Sequence, residues 1–291
     1  MKKKLVGLLL AASLLVISGC SELEQMFMLD SAKGADSMVE GETVVSFLDV
    51  GQGDATLVQT DEATVLIDSG RHDQRVIFDH LDELAIDSLD LVIFTHPHAD
   101  HIGNGDLIVE EYNPEEVWID GNETTSQVFE RLVDALLASD ANVVEPIAGE
   151  TYQFGALQFD VLNPGEELTG NLNNDSISFI MHYGDVSFLF TGDAERPAEQ
   201  AMVNTGISLS ADIYHMGHHG SNTSSHDFFM NEVLPEVAVY SAGEKNSYGH
   251  PGATALSRVE ATGAEIFGTI EDGTITIRTD GTTFEVDTAN D

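Results

Sequence analysis

Three histidines and one aspartate fall within six consecutive residues, His96-Pro97-His98-Ala99-Asp100-His101. The preceding residues, 91–94, are apolar and are bounded by polar residues, which is typical of a short buried strand. We therefore expect the cluster in a loop at the carboxyl end of a strand, where α/β sheets place their binding sites. A polar loop that is merely rich in histidine is a poor alternative, since the whole chain of 291 residues has only 11 His. Imidazole and carboxylate together suit a divalent metal such as zinc or manganese.

Composition limits the class of protein. The roughly 270 residues that follow an N-terminal targeting segment suit one large α/β domain or two small ones. The single cysteine, Cys20, excludes an intramolecular disulfide and a cysteine-rich zinc site. The 51 acidic residues far outnumber the 11 Lys and Arg, giving a net charge of −40. We interpret this even acidic coat as an adaptation to high salt or alkaline surroundings, and it disfavours a broad nucleic-acid footprint.

The N-terminus has the pattern of a bacterial lipoprotein signal. Three lysines precede an apolar stretch over residues 5–17, which is too short for an ordinary membrane span. Ile17-Ser18-Gly19-Cys20 resembles a lipobox, so residues 1–19 are predicted to be removed and the Cys20 thiol to be lipidated. An ordinary secretory signal is the alternative.

The segment after the lipobox is predicted to connect the lipid to the domain. Residues 20–43 are polar and acidic and have little periodicity, so we interpret them as a tether. A short helix over residues 23–29 is the alternative. The domain itself is predicted over residues 44–291, outside the cytoplasm and anchored to the cell membrane through the lipid. No protein partner is evident from the sequence.

Apolar runs and turn signals predict alternating strands and helices over the domain. The predicted strands cover residues 44–50, 55–59, 64–67, 91–95, 117–119, 143–144, 152–154, 157–162, 176–182, 186–190, 213–216, 237–240, 266–267, 274–277 and 284–286. The predicted helices cover residues 76–84, 102–112, 126–138, 198–203, 228–234 and 253–261. Two halves of this kind suggest two sheets sandwiched between helices.

Four polar clusters follow predicted strands, and their order resembles the metallo-β-lactamase fold superfamily. The matching motifs are Leu66-Ile67-Asp68-Ser69-Gly70, Thr95-His96-Pro97-His98-Ala99-Asp100-His101, Thr191-Gly192-Asp193 and His218-His219-Gly220-Ser221. The resemblance extends from residue 44 to about residue 270. It implies an α/β fold in the form of an αββα four-layer sandwich.

Further motifs resemble the hydrolase domain of the competence protein ComEC family. They are Phe47-Leu48-Asp49-Val50-Gly51-Gln52-Gly53-Asp54-Ala55, Asn173-Asn174-Asp175-Ser176, Phe190-Thr191-Gly192-Asp193-Ala194-Glu195, His218-His219-Gly220-Ser221 and Tyr248-Gly249-His250-Pro251. That family's domain lies outside the membrane in DNA uptake and is regarded as a metal-dependent nuclease. We expect this domain to work without the family's membrane channel. The resemblance therefore supports the family's reaction more strongly than its role in DNA uptake.

The chemistry of these residues predicts a site for two divalent ions, Zn or Mn. We expect His96 and His98 to hold the first ion. Asp100 and His101, at the start of the predicted helix, are expected to hold the second. Asp193 follows an apolar strand, where a lone carboxylate is well placed to bridge both ions.

The remaining ligands are less sharply defined by the sequence. One of His218 and His219 completes the second position, and we favour His219, with His218 nearer the substrate. Many superfamily members have a third histidine on the first metal, but the corresponding region here holds Asn174 and Asp175. We expect Asn174 or Asp175 either to bind this metal weakly through oxygen or only to order a water, and we favour Asp175 as the ligand and Asn174 as a supporting residue. An oxygen ligand here favours manganese or mixed occupancy. Asp68 is predicted to orient a ligand histidine.

Residues for catalysis and substrate binding complete the predicted site. Asp100, His218 and His250 are the predicted catalytic residues, with His250 stabilising the transition state or protonating the leaving group. Ser221 and Asn222 are predicted to contact the substrate. The other histidines are predicted to be structural or exposed: His72, His80, His182, His215 and His226.

Three functions are compatible with these observations. The first is metal-assisted hydrolysis of a phosphoester, most directly a phosphodiesterase or nuclease whose substrate is DNA or another phosphoester. The second is hydrolysis of another ester or amide, such as a choline phosphoester, a lactone or a β-lactam. The third is a non-catalytic surface binding protein in which the metal is structural, and the intact histidine cluster with Asp193 argues against it.

Overall fold

The computed structural model describes residues 40–290, so the predicted signal peptide, Cys20 and most of the tether lie outside the described residues. The strands are β1 (Thr43–Phe47), β2 (Thr56–Gln59), β3 (Thr64–Ile67), β4 (Leu91–Ile93), β5 (Glu116–Trp118), β6 (Asn142–Val144), β7 (Thr151–Phe154), β8 (Leu157–Asn163), β9 (Ser178–Tyr183), β10 (Val186–Phe190), β11 (Ile213–His215), β12 (Val237–Tyr240), β13 (Glu265–Gly268), β14 (Ile275–Thr279) and β15 (Phe284–Thr288). The helices are α1 (Val76–Glu83), α2 (Gly105–Tyr112), α3 (Gln127–Ala138), α4 (Arg196–Thr205), α5 (Asp227–Val233), α6 (Ala253–Glu260) and α7 (Thr269–Asp272). A turn over Gly217–Gly220 also has helical hydrogen bonding, although its two central residues are left-handed.

The strands form two mixed sheets. The first has the order β15-β14-β1-β2-β3-β4-β5-β6 and the second the order β13-β12-β11-β10-β9-β8-β7. In the first sheet β3 to β6 are parallel, and in the second β10 to β13 are parallel. The C-terminal hairpin of β14 and β15 joins the first sheet beside β1.

Apolar side chains cover both faces of the central strands, which is why these strands are apolar throughout. In β10, Phe188 and Phe190 lie in the core between the sheets. Leu189, between them in sequence, lies in the outer core under the helices of the second half. A third core packs the helices of the first half against the first sheet. The layers are therefore helix, sheet, sheet and helix, which confirms the predicted αββα sandwich.

Two predicted elements near the histidine cluster are shorter than expected. The strand predicted over residues 91–95 ends at Ile93, and the Thr95 backbone N–H donates to the Asp68 carboxylate instead of to a neighbouring strand. The helix predicted over residues 102–112 begins only at Gly105. Before it, the Asn104 amide donates to three backbone carbonyls of the loop after β3. The expectation that Asp100 and His101 start a helix was therefore wrong, and both lie in a turn.

Within residues 40–290, every helix is too short or too polar to cross a bilayer.

Candidate metal centre

The predicted metal residues meet where the two sheets end on the same side of the sandwich. Asp68 follows β3 and the histidine cluster follows β4, two neighbouring parallel strands of the first sheet. Asp193 follows β10 and the pair His218-His219 follows β11, two neighbouring parallel strands of the second sheet. Because carboxyl ends of parallel strands share one edge, each sheet delivers its polar loops to a common place.

The first group comprises His96, His98 and Asp193, whose candidate ligand atoms all lie within 4.8 Å of one another. His96 Nε2 lies 2.9 Å from His98 Nδ1 and 3.5 Å from Asp193 Oδ2. Burial lowers the pKa of both imidazoles, that of His98 to about 4. Both rings are therefore neutral near pH 7, the form in which an imidazole binds a metal.

The second group comprises Asp54, His101, Asp193 and His219, all of them buried. Asp193 Oδ1 lies 3.2 Å from His101 Nε2 and 3.7 Å from His219 Nε2. The Asp100 carboxylate, nearer the surface, lies 3.4 Å from His219 Nε2. Asp193 thus presents Oδ2 to the first group and Oδ1 to the second, which is the arrangement of a bridging carboxylate.

Buried polar atoms without partners test whether these residues fit a metal. Among residues 40–290, three such atoms of the second group face one another without a hydrogen-bond partner: His101 Nε2, Asp193 Oδ1 and His219 Nε2. An unsatisfied buried polar atom costs about 1–3 kcal/mol, so a cluster of three calls for a ligand. Imidazole nitrogen and carboxylate oxygen are donors that divalent transition metals accept. The residues present therefore fit a divalent metal ion.

The second nitrogen of each buried imidazole is fixed by an acceptor. His101 Nδ1 lies 2.8 Å from Asp68 Oδ2, and Asp68 also accepts from the backbone N–H and the hydroxyl of Thr95. His219 Nδ1 lies 3.0 Å from the carbonyl of Ser241. These contacts leave Nε2 of both rings directed at Asp193. The structure therefore places Asp68 where the sequence predicted it, behind a candidate ligand.

Charge is concentrated in this cluster. Burial alone would lower the pKa of His101 and His219, but the carboxylates around them raise both well above the ordinary value. In the same way, burial would raise the pKa of Asp193, but the charge of His101 and its neighbours holds it well below the usual range. The carboxylate is thus kept ionised, as a metal ligand must be.

Asp54 is a site residue that the sequence analysis missed. Its Oδ1 lies 3.4 Å from His219 Nδ1 and 3.6 Å from His215 Nε2, and its Oδ2 lies 3.9 Å from His101 Nδ1. Because the Nδ1 atoms face away from Asp193, Asp54 lies behind the two rings, farther from them than the Asp68 carboxylate and the Ser241 carbonyl that bond to these atoms. Gly53 permits this approach, since a Cβ there would lie 2.5 Å from the Asp100 carbonyl oxygen. The signal was the Gly51-Gln52-Gly53-Asp54 sequence, which the sequence analysis used only as part of a motif of resemblance.

The turn after β11 separates the two adjacent histidines. His218 and His219 have φ of 55° and 56°, so both are left-handed and their side chains diverge. His219 is 2% exposed and points into the second group. The His218 side chain is 21% exposed, with Nε2 at 3.5 Å from Asp193 Oδ2 and Nδ1 at 3.2 Å from Thr223 Oγ1. This is the placement that the sequence favoured for the pair.

A cavity of about 330 Å³ opens above the two groups. The three predicted catalytic residues, Asp100, His218 and His250, all line it. The ring of His250 stacks on that of His219 at 5.9 Å, and its buried Nδ1 has no partner in the described part of the chain. Burial, reinforced by the nearby imidazoles, lowers the pKa of His250 to about 4. A neutral His250 therefore presents a ring nitrogen to whatever occupies the cavity.

The Asn-Asn-Asp segment before β9 is arranged differently from the prediction. The Asp175 carboxylate accepts from the backbone N–H groups of Thr169 and Gly170 and closes a loop, and it joins neither group of candidate ligands among the described residues. Asn174 Oδ1 accepts from backbone N–H groups at the start of α4, directly after Asp193, which suits the predicted supporting role. Asn173 is the residue that lines the cavity, and its buried Oδ1 lacks a partner within residues 40–290. At the cavity, an unpartnered oxygen is thus presented by Asn173 and not by Asp175.

The two predicted substrate contacts are engaged within the protein. Asn222 Oδ1 accepts from the backbone N–H groups of Thr254 and Ala255 and so caps α6. The Ser221 hydroxyl bonds to the Thr223 hydroxyl. Neither residue lines the cavity. The predicted substrate contacts were therefore wrong. The short polar side chains of Asn and Ser form hydrogen bonds with neighbouring backbone and hydroxyl groups of the protein instead.

The remaining histidines lie outside both groups, as predicted. The ring of His80 bonds to a backbone carbonyl, His182 pairs with Asp160 and His226 pairs with Glu199. His72 is exposed. His215 is buried behind the site, where its Nε2 bonds to the Ser241 hydroxyl at 3.0 Å.

Comparison with known proteins agrees with this geometry. The sequence model of the Metallo-beta-lactamase superfamily matches residues 48–244, and the chain belongs to this superfamily. The chain is 30% identical over 258 residues to ComE operon protein 3 of Bacillus subtilis (strain 168), an alignment that covers 82% of this chain and 33% of that protein. It is 29% identical over 237 residues to Competence protein ComA of Neisseria gonorrhoeae, covering 80% of this chain and 32% of that protein. The chain thus spans about a third of the length of these relatives.

Solved structures share the fold. CmlA, a diiron β-hydroxylase from Streptomyces venezuelae, superposes with a TM-score of 0.57 at 16% identity, over 84% of this chain and 55% of that chain. At this identity the likeness concerns the fold alone. The chain is therefore a metallo-β-lactamase superfamily protein with competence-protein relatives and a buried histidine–aspartate cluster that can bind divalent metal.

Proposed function

We propose that the protein is a metal-dependent phosphodiesterase. The observation that carries the proposal is the Asp193 carboxylate, which faces one group of imidazoles with each oxygen at the floor of an open cavity. The similarity to competence proteins over about 80% of the chain supports a nucleic-acid phosphodiester as the bond that is cleaved.

The candidate ligands divide between two ions. His96, His98 and Asp193 would hold the first, with Asn173 supplying an oxygen. The second ion would be held by His101, His219, Asp193 and Asp100. Zinc and manganese both suit this mixture of nitrogen and oxygen donors, and the oxygen at the first position favours manganese. When bound, such ions lower the pKa of a coordinated water and neutralise charge on the attacked phosphoryl group.

The chain's own residues supply orientation and proton handling. Asp68 holds the His101 ring and the Ser241 carbonyl holds the His219 ring from behind, so that the ligand atoms are directed before any substrate arrives. Neutral His250 offers a ring N–H to an oxygen of the substrate or of the leaving group. His218, at the cavity mouth beside Glu195 at 3.4 Å, is placed to exchange a proton with the departing oxygen.

We also propose that the protein acts outside the cytoplasm, anchored by lipid at Cys20. The net charge of −40 supports work in high salt, where screening shortens the Debye length to about 3 Å at 1 M. Under those conditions an acidic surface repels a phosphodiester chain much less than it does at low salt. Hydrolysis of an oligonucleotide should therefore hold steady or increase with salt over a range in which ordinary nucleases lose affinity.

The direct test is a metal and substrate screen with the purified protein. Metal content is measured by mass spectrometry, and bis-p-nitrophenyl phosphate, single-stranded DNA, a phosphorylcholine ester and a lactone are assayed with manganese and with zinc. We expect bis-p-nitrophenyl phosphate and the single-stranded DNA to be hydrolysed. His98→Ala should remove turnover while the circular dichroism spectrum stays unchanged. Unchanged turnover in that variant would exclude the metal mechanism, and hydrolysis of the lactone or choline ester alone would favour the alternative hydrolase.

A further inference from the structure

A second cavity lies beside the metal cavity. It measures about 320 Å³ and lies between the loop after β1, the loop after β3 and the loop after β12. Gln52 and Tyr248 line both cavities, so the two share a wall and a rim. Neither the candidate ligands nor the proposed chemistry uses this second space.

Gln52 presents an unused donor at the junction. The side chain is 6% exposed, and its Oε1 accepts from the Gly243 backbone N–H at 3.2 Å. That bond fixes the amide, leaving Nε2 as a buried donor without a partner in the described chain. Gly243 allows this contact because a Cβ at that position would lie 2.6 Å from Gln52 N. A buried amide N–H between two cavities is suited to an acceptor oxygen of a ligand that spans them.

The second cavity also gathers scarce positive charge. The Lys and Arg residues within 40–290 are Arg71, Arg75, Arg131, Arg196, Lys245, Arg258 and Arg278. Two of these, Arg71 and Lys245, line this cavity together with Asp73 and Glu244, so it is formally neutral in a chain of charge −40. Asp73 holds Arg71 through Nε and Nη2. Lys245 is exposed, and no acidic group of the described residues lies within 4 Å of its ammonium.

Aromatic rings lead from the metal groups to the second cavity. His250 lies between His219 and Tyr248, with ring centroids 5.9 Å and 5.7 Å apart and interplanar angles of 26° and 24°. Tyr248 ends this series, and it is 62% exposed. An exposed aromatic ring that continues a stack offers a surface on which a nucleobase can stack.

We propose that the second cavity is the subsite for the nucleotide that flanks the scissile phosphodiester. Gln52 Nε2 donates to a phosphate oxygen at the junction, Lys245 binds the neighbouring phosphate, and Tyr248 stacks on the base. The inference rests on the proposed phosphodiesterase function. It adds a strand-binding path that a small diester in the metal cavity does not use.

The test compares a small diester with a strand. Steady-state kinetics are measured for methyl p-nitrophenyl phosphate and for a single-stranded 12-nucleotide DNA, with manganese and at high salt. Tyr248→Ala should raise the ratio of the oligonucleotide KM to the small-diester KM about tenfold, since base stacking contributes about 1–3 kcal/mol. Lys245→Ala should raise this ratio severalfold, and Gln52→Glu, which keeps the acceptor for Gly243 but loses the donor, should raise it as well.

Two variants serve as matched controls. Tyr248→Phe keeps the ring and should keep the ratio, and Arg131→Ala removes one positive charge on α3, away from both cavities. Binding of the same oligonucleotide, labelled with fluorescein, should weaken in parallel when Tyr248→Ala, Lys245→Ala or Gln52→Glu is made in the non-cleaving His98→Ala protein, and the two controls should leave it unchanged. If neither substrate is hydrolysed by the parent protein, the phosphodiesterase function fails. If both are hydrolysed and Tyr248→Ala and Lys245→Ala leave the ratio unchanged, the subsite fails while the function stands.

Discussion

Two buried carboxylate–imidazole pairs in this protein have the same length and different consequences. Asp68 lies 2.8 Å from His101 Nδ1, and Glu199 lies 2.8 Å from His226 Nδ1. In the first pair the other ring nitrogen is buried, without a partner in the described residues, and faces Asp193. In the second pair Glu199 also accepts from the His226 backbone N–H, and the ring stacks on Phe228. Burial beside a carboxylate therefore does not identify a metal ligand; the direction of the second nitrogen does.

The largest effect is expected on changing Asp193, the carboxylate that His101 of the first pair faces. Asp193→Asn removes the charge shared by both groups, so we expect metal binding to be lost and kcat/KM to fall by at least about a thousandfold. Metal content by mass spectrometry and hydrolysis of bis-p-nitrophenyl phosphate measure this. His226→Ala is the control and should retain its metal. Loss of metal from the control would mean that the two pairs do not differ as described.

The second prediction concerns the pair with no ligand role. Burial raises the pKa of Glu199 from 4.5 to about 7. Below pH 4.5 the carboxyl is protonated in both states; above it the unfolded chain ionises first, so the folded protein loses stability as pH rises toward 7. Glu199→Gln should therefore be more stable than the parent by up to about 3 kcal/mol near pH 7, with the difference vanishing near pH 4.

Urea unfolding between pH 4 and pH 8 measures this difference. The metal content of Glu199→Gln should equal that of the parent. An identical pH dependence in the two proteins would show that the pKa of Glu199 is the same in the folded and unfolded states, and the effect assigned to burial would be wrong.

The third prediction concerns Asp68, the carboxylate of the first pair, which bonds to His101. Asp68→Asn keeps the shape of the side chain but weakens its hold on His101 Nδ1, so the metal dissociation constant should rise about 10–100-fold. Isothermal titration with manganese measures this without reference to activity. Asp160→Asn, beside the half-exposed His182, provides a matched loss of charge away from the site and should leave the affinity unchanged.

The smallest effect is expected for Ser241→Ala, which tests whether the backbone carbonyl or the hydroxyl of Ser241 orients His219. His219 Nδ1 is held by the Ser241 carbonyl, which Ser241→Ala retains, while the bond from the hydroxyl to His215 is lost. We expect a loss of about 1 kcal/mol in the free energy of unfolding and a metal affinity within about twofold of the parent. A large loss of metal would show that His215 and the hydroxyl, and not the carbonyl, position His219.

Elements whose apolar runs end at turn residues could be predicted from the sequence almost to the residue. The predicted strands over residues 64–67, 186–190 and 237–240 agree with β3, β10 and β12. Beside the site, the strand predicted over residues 91–95 and the helix predicted over residues 102–112 are shorter, because polar side chains replace regular backbone bonding there. Asp68 accepts a hydrogen bond from the Thr95 N–H, and the Asn104 amide donates to three loop carbonyls. A pattern of apolar residues does not reveal such bonds.

The positions of site residues that directly follow a strand could be predicted from the sequence. Which residues of a loop turn their side chains toward the site could not. The histidine cluster, Asp193 and Asp68 follow strands, and they meet as expected. Asn173 and Asp175 lie two positions apart in one loop, and the hydrogen bonds from Thr169 and Gly170 decide which of them turns away. A loop has no regular alternation of side chains, so the sequence does not predict which of two such neighbours faces the site.

The candidate ligands come from both sheets, since His96 and His101 follow the first and Asp193 and His219 follow the second. An ion held between them would act as a clamp across the seam of the sandwich. Separating the two halves would then require release of the ion, so each tenfold excess of free metal over its dissociation constant adds about 1.4 kcal/mol against unfolding. Resistance to heat and to proteases would accordingly follow the metal supply of the surroundings, and chelation would weaken the whole domain as well as the site.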